Sequence, residues 1–466
     1  MRLWIFITFL ALSGCQVGPR YQYPEVSVAN SWKNQESGIS EPKVECWWQI
    51  FQDQKLTVLI EQAIGNNPSL LAALERIEEA RGIAGVTKSK LFPQLNFDPA
   101  ASNRAQRAHS FGSTLRPPPT LVQDHIDKYI LPLTLLYEFD FWDKWRGQYK
   151  SARFLVEAEI EAYQTSLLLM TTDLANAYFQ IRIQDAQIDL FRKILSTRQT
   201  ALEIQRSRYD ANLVGYIDVT SYQTDYSTVE AQYFDALKTR AIFENQIAVL
   251  VGISPSIFKI EPLPLEEPPP VIPAATPANV LLRRPDLAEQ ERKMAAIHSE
   301  INVAYSSYFP SIDLSVIFDF LSQDFSKITS TFISSIGSNL TEILFDGGGR
   351  SSNIDAIKAK FDAAAATYQE KILTAFQEVE DSLASIHWIG NEMEAINTAF
   401  SAAEIAFQIA QDRYAFGLSS YLGAADNERT ALTQKMAYLE LLKLKYLHTI
   451  HLIKAIGGGW ESVCGS

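Results

Sequence analysis

Apolar and polar residues alternate with period two in two stretches of this chain. Tyr129, Leu131, Leu133, Leu135, Tyr137, Phe139 and Phe141 share one face of a run, with Thr134, Glu138 and Asp140 opposite. Ile312, Leu314, Val316, Phe318 and Phe320 alternate in the same way with Ser311, Asp313, Ser315 and Asp319. Apolar-out, polar-in strands of about ten residues are the pattern of a transmembrane β-barrel, although a buried sandwich alternates similarly. Less regular partner strands are expected near 94–103 and 332–344, joined through loops 104–128 and 322–329.

Elsewhere the period is seven. Leu167, Leu174, Ile181, Ile188, Leu195, Leu202 and Tyr209 form one series, and Ile372, Val379, Ile386, Met393, Phe400, Phe407 and Tyr414 form another. Proline is absent from 133–254 and after Pro310. Heptads sustained this long predict coiled-coil packing rather than the face of a globular helix. Helices over 148–211 and 351–416 are expected, each about 95–100 Å long at 1.5 Å per residue.

The second series follows the first by 205 residues, and other features recur in order. Asn67-Pro68-Ser69-Leu70 returns 217 residues later as Arg284-Pro285-Asp286-Leu287, and Leu91-Phe92-Pro93-Gln94-Leu95 as Tyr308-Phe309-Pro310-Ser311-Ile312. A tandem duplication explains this: helix, strand pair, very long helix, sharp turn, return helix, twice. Between the copies, nine of the chain's twenty prolines lie from Pro255 to Pro285, which reads as an extended linker. The expected organisation is a leader (1–14), an N-terminal segment (15–66), repeat 1 (67–254), the linker (255–284), repeat 2 (285–456) and a tail (457–466).

Met1-Arg2 followed by an apolar stretch and Leu12-Ser13-Gly14-Cys15 describes a secretory signal ending in a bacterial lipobox. Cleavage would leave Cys15 first, carrying several acyl chains, and several chains anchor stably where one does not. Gln16, in place of an aspartate, favours the outer membrane. Cys46 and Cys464 are candidates for a disulfide in the oxidising periplasm.

Four strands cannot close a barrel, and an open sheet edge is not tolerated in lipid. Two copies give the minimum of about eight strands, already filled by side chains, whereas three give twelve and a wider lumen. Spanning strands therefore predict a trimeric tube. At 47% hydrophobic and 20% charged, the chain can bury a sizeable core. Its net charge of −13 argues against a nucleic-acid partner.

These residues resemble the TolC-like outer-membrane efflux proteins, in particular the lipid-anchored OprM/NodT-type branch. Trp47-Trp48-Gln49-Ile50-Phe51 through Leu56 is similar to the family's approach to its first helix. Leu281-Leu282-Arg283-Arg284-Pro285-Asp286-Leu287 and Phe309-Pro310 resemble its second-repeat signature, and Phe139-Asp140-Phe141-Trp142 and Leu344-Phe345-Asp346-Gly347-Gly348 its strand-to-helix junctions. The resemblance implies a mainly α fold with β: a homotrimer with a twelve-stranded transmembrane β-barrel, four strands per chain, continued by a long periplasmic α-helical coiled-coil barrel. It also implies the exit duct of a tripartite efflux pump for small toxic compounds. The partners it implies are a periplasmic adaptor and an inner-membrane transporter of the RND type.

In the family, the hairpin tips dock the adaptor through an Arg-Tyr, Gly, Ser, Leu pattern. The matching residues are Arg413, Tyr414, Gly417, Leu418, Ser419 and Ser420 in repeat 2, and Arg208, Tyr209, Asn212, Leu213 and Gly215 in repeat 1, where Asn212 replaces the glycine and Gly215 the serine. Asp412, Leu418 and Asp426 are candidates for closing the periplasmic aperture. Gly423 stands where repeat 1 has Asp218, a departure from many relatives.

No catalytic constellation, cofactor motif or metal-ligand set stands out, so no enzyme activity is expected. Asp346-Gly347-Gly348-Gly349-Arg350-Ser351 lacks the Gly-Lys-Ser/Thr ending of a phosphate loop and reads as a turn. His448 and His451 lie three apart with no nearby third ligand. The alternatives on the same fold are the outlet of a type I protein-secretion or a metal-efflux system. A non-conducting periplasmic coiled-coil lipoprotein is the alternative from another class.

Overall fold

The computed structural model describes residues 18–21, 31–33, 46–108, 122–272 and 277–458. The leader, Cys15, the loop around Arg116-Pro117-Pro118-Pro119 and Cys464 lie outside these residues. Cys46 is disulfide-bonded. The chain forms two compact units, Met1–Pro24, Ile77–Ala158 and Gln290–Ala366 in one, Glu25–Arg76, Glu159–Glu289 and Thr367–Ser466 in the other. Each unit draws on both repeats.

The first unit is built on one antiparallel sheet of β1 (Gln94–Phe97), β2 (Ala100–Ala108), β3 (Val122–Glu138), β4 (Ser311–Ser322) and β5 (Phe332–Thr341). Five segments make four strands in effect. Both β1 and β2 pair with the same edge of β3, and Phe97 opposite Leu133 and Ala100 opposite Ile130 keep one register. The break falls at Asp98-Pro99, facing Leu131-Pro132, where two prolines remove ladder donors. β2 extends further than expected, to Ala108, and a 3₁₀ turn (Phe325–Lys327) occupies the β4–β5 connection. The register sets Leu133 beside Phe97 and Phe318, and Leu135 beside Leu95 and Val316, so the alternating faces align across strands.

After the sheet, the glycine-rich turn leads into a long helix. Asp346 accepts the N–H groups of Gly348 (3.0 Å) and Arg350 (2.9 Å), so the donors that a phosphate would need are already taken. In the same unit Tyr21 donates its hydroxyl to Glu291 (2.9 Å) and sets its ring edge-on to His298.

The second unit is helical. Its elements belong to α1 (Gln54–Asn66), α2 (Pro68–Ser89), α3 (Lys144–Asp210), α4 (Tyr216–Val251), α5 (Pro277–Arg283), α6 (Pro285–Ser306), α7 (Gly349–Ala415) and α8 (Tyr421–Ala455). α3 and α7 are each 67 residues long, about 100 Å, and their returns α4 and α8 run 36 and 35 residues. Heptad residues Leu174, Ile181, Ile188, Leu202, Ile372, Val379 and Met393 are buried. The proline-rich linker is not wholly extended: Pro277 opens α5, where its fixed φ and missing N–H suit a first turn.

The core is aromatic at one end. A 3₁₀ turn (Trp47–Phe51) brings Phe51 to 4.7 Å from Phe179, which stacks on Tyr446 at 4.5 Å. Asp53 caps α1 through Lys55 and Leu56, while its second oxygen accepts the Tyr178 hydroxyl. The linker is strapped to α3 and α4 by charges the heptads conceal. Arg240 pairs with Asp185 at 2.6 Å and donates to the Ile260 carbonyl, Asp185 accepts Leu263 N–H, and Arg182 donates to the Glu261 carbonyl.

The duplication reaches the hydrogen bonds. At the α1–α2 break, Asn67 accepts Ser69 and Leu70 N–H and donates to the Leu250 carbonyl at the end of α4. At the α5–α6 break, Arg284 donates to the Ala455 carbonyl at the end of α8. Gly252 (φ +78) and Gly457 (φ +90) follow those helix ends in left-handed conformations, packed against Asn66 and Arg283 backbone.

Candidate functional site

The sheet carries a band with measurable height. From Tyr129 to Tyr137, β3 presents Leu131, Leu133 and Leu135 on one face, paired with Phe320, Phe318 and Val316, with Leu314 opposite Tyr137. Eight residue steps at about 3.4 Å give roughly 27 Å. A transmembrane barrel needs an apolar band about 25 Å tall between aromatic girdles. Tyr129 meets Phe325 at 5.5 Å at one limit, and Tyr137 meets Phe139 at 4.9 Å at the other. Past Tyr129 the same face turns polar, where Asn103 donates to Asp127. β5 is exposed along its whole length, and among the described residues its outer edge and that of β1–β2 have no strand partner.

The two hairpin tips are the second candidate. In repeat 1 the N–H of Leu213 bonds the Arg208 carbonyl at 2.8 Å and that of Asn212 bonds the Tyr209 carbonyl at 2.8 Å. In repeat 2 the N–H of Leu418 bonds the Arg413 carbonyl at 2.8 Å and that of Gly417 bonds the Tyr414 carbonyl at 2.9 Å. Both are Schellman motifs, requiring a left-handed residue that Asn212 (φ 57) and Gly417 (φ 71) supply. Asparagine therefore does at one tip what glycine does at the other.

The following helices are capped in complementary ways. Gly215 has no side chain, so Asp218 reaches back to its N–H at 3.1 Å. At the second tip Ser420 Oγ accepts the Gly423 N–H at 3.3 Å, so losing the aspartate there costs no cap. Half of a capping box survives at each tip. Leu213 and Leu418 project outward, 69% and 70% exposed, and Ser419 is half-buried near the Ala410 carbonyl. Arg208, half-buried, lines a small cavity with Thr200, Glu203 and Leu213. Of the aperture candidates, Asp412 and Leu418 are exposed, and Asp426 lies exposed 3.6 Å from Arg429.

Each tip also carries an aromatic clasp that the motif reading missed. Tyr209 meets Tyr216 at 5.5 Å, and Tyr414 meets Tyr421 at 5.5 Å. The tyrosines are seven apart in both copies, which was the available signal. Burial and then the Glu428 carboxylate push the Tyr421 hydroxyl above its ordinary range, against a hydrogen bond with Thr200. It stays protonated in any ordinary medium.

Comparison with known proteins agrees with this geometry. The family model described as outer membrane efflux protein matches residues 59–253 and 276–458. The pyoverdine export outer membrane protein OpmQ of Pseudomonas aeruginosa is 27% identical, over 97% of this chain and 96% of the relative. The cation efflux system protein CusC of Escherichia coli is 25% identical, over 99% of each. Among solved structures, the MtrE outer membrane channel of Neisseria gonorrhoeae has a TM-score of 0.83 at 24% identity, covering 96% of this chain and 99% of that one.

Proposed function

Because this chain belongs to the outer membrane efflux protein family, we propose that it forms the exit duct of a tripartite efflux pump in the outer membrane. Three copies pool four strands each into a twelve-stranded barrel, and their helices prolong the wall into the periplasm. The observation that carries this is the sheet's roughly 27 Å apolar band with tyrosine limits and two unpaired edges, which lipid does not tolerate unless other copies close the ring. Large apolar side chains left exposed on α7, such as Trp388 (65%) and Ile405 (62%), fit helix packing between copies.

A periplasmic adaptor docks at the tips and an inner-membrane transporter supplies the energy. The duct itself performs no catalysis and takes no cofactor beyond the lipid on Cys15. Similar proteins carry names referring to pyoverdine, cations and toluene, so substrate choice is assigned to the inner-membrane partner. Asp412, Leu418 and Asp426 are proposed to narrow the periplasmic mouth, where threefold repetition multiplies each charge.

The direct test is planar-bilayer recording on purified protein with its mass in detergent. A trimer that conducts once its mouth is loosened is expected; a monomer without conductance rejects the duct in favour of a spacer. At the tips, Leu213→Asp with Leu418→Asp is expected to lower adaptor crosslinking about tenfold with unchanged thermal stability, since neither side chain is packed. Normal crosslinking would remove the docking assignment. Cys15→Ala is expected to keep fold and trimer while shifting part of the protein out of the membrane pellet. Unchanged sedimentation would reject lipid attachment.

A further inference from the structure

Within the first unit, α2 and α3 enclose a cleft of about 340 Å³ whose lining includes Arg81, Lys88, Tyr149, Arg153 and Glu157. Gly85, exposed, also lines it, with nothing within 4 Å of where a Cβ would sit. Arg81 is bonded to Glu78, and Glu157 faces Arg292 at 3.4 Å. Lys88 and Arg153 make no ion pair among the described residues, so the cleft holds two uncompensated cations in a chain of net charge −13. α2 leads into the sheet and α3 leads away from it, and Lys88 and Arg153, both solvent-exposed, line the cleft from its two helices.

Its place along the chain identifies the ligand class. Lys88 lies six residues before β1, and Tyr149 and Arg153 lie about 8 and 14 Å along α3 from Lys144, which follows the end of β3. Nearer the sheet, the ammonium groups of Lys90 and Lys144 sit 4.7 and 4.4 Å from the Trp145 ring centroid. Trp145, Tyr149 and Arg153 recur every four residues on α3, so aromatic and cationic groups form a ladder descending from the apolar band. Indole and phenol rings favour the headgroup level, and basic pockets between helices bind anionic headgroups. A cleft of about 300 Å³ or more suffices for a small ligand.

We propose that this cleft binds the phosphate ester of an anionic phospholipid in the periplasmic leaflet, with Lys88 and Arg153 holding the phosphate and Tyr149 donating to it. The site rests on the reading of the sheet as membrane-spanning.

The test reconstitutes the full-length channel with equal phosphatidylglycerol and phosphatidylethanolamine and measures lipid retained on the trimer by native mass spectrometry. Wild type is expected to retain phosphatidylglycerol preferentially, and the Lys88→Gln, Arg153→Gln double variant to lose that preference about tenfold. Lys360→Gln, which removes an exposed charge elsewhere in the unit, is expected to change nothing. No preference in wild type, or the same preference in the double variant, overturns the site. Soluble glycerol phosphate displacing the lipid at matched concentration overturns the membrane as its source. If the spanning reading itself fails, the protein will not insert or conduct, whereas failure of the site alone leaves a conducting trimer without lipid preference.

Discussion

Gly252→Ala and Gly457→Ala are each expected to destabilise the helical unit by about 2–4 kcal/mol, the combination of a left-handed alanine and a backbone collision. At φ +78 and +90, an L-residue costs about 1–2 kcal/mol before any contact is considered. A Cβ at Gly252 would stand 2.4 Å from the Asn66 carbonyl oxygen and 3.0 Å from its carbon; at Gly457 it would stand 2.7 and 2.9 Å from the same atoms of Arg283. These are backbone atoms at the helix breaks, and Asn67 and Arg284 hold the breaks against the very helix ends that the glycines terminate. No rotamer change relieves the overlap. Gly82→Ala is the control: it lies inside α2 with open space around it, and alanine there should be neutral or gain about 0.5–1 kcal/mol. Thermal unfolding followed by circular dichroism compares the three. Wild-type stability in both glycine variants would mean that the breaks are not clamped to the return helices.

What the sequence disclosed depended on whether a residue's role was periodic. The heptads located both long helices to within a few residues because burial on a coiled-coil face recurs every seven positions, and Leu174 to Leu202 and Ile372 to Met393 follow it. Strands β3 and β4 were legible because their two faces meet different surroundings. β2 (Ala100–Ala108) was legible only at its start, within the strand expected near 94–103, since its residues carry no apolar alternation and its extent is set by register with β3. Both tips were visible, through Gly417 and through Asn212 in its place, and the hydrogen-bond pattern gives the two one geometry. Hidden altogether were the single polar residues that do not repeat within a helix: Asp185, Arg240 and Arg182 look like ordinary helix charges until the linker backbone supplies their partners. Division into two units was equally illegible, because each long helix contributes to both and no change of composition marks the boundary.

Arg284→Ala is expected to cost about 2–3 kcal/mol at pH 7, because charge-assisted hydrogen bonds are lost while the carboxylates left behind, 28% and 42% exposed, keep part of their hydration. Its guanidinium binds both oxygens of Asp286 (3.0 and 2.7 Å), Glu378 (2.5 Å) and the Ala455 carbonyl (3.2 Å), joining the α5–α6 break to α7 and the end of α8. Arg284→Lys cannot reproduce the fork and should recover only part of the loss. The pH dependence separates this from simple loss of packing. Burial pushes the Asp286 carboxyl up, but the hydrogen bonds and charge of Arg284 outweigh it and hold the group below the usual carboxylate range. A depressed folded pKa contributes stability above the unfolded value, near 3.9, which is lost as pH falls through the folded value. Without Arg284, burial is opposed only by the Lys371 charge and the Leu287 N–H, so the folded pKa rises and the variant forfeits stability that the ionised carboxylate adds to wild type above about pH 4. The gap between wild type and variant should therefore hold from pH 7 down to about pH 4 and narrow below it, as Asp286 protonates in the folded wild type, measured by urea unfolding from about pH 7 to pH 3. A gap independent of pH would show that Arg284 acts through its bulk and the Ala455 carbonyl, with the carboxylates incidental.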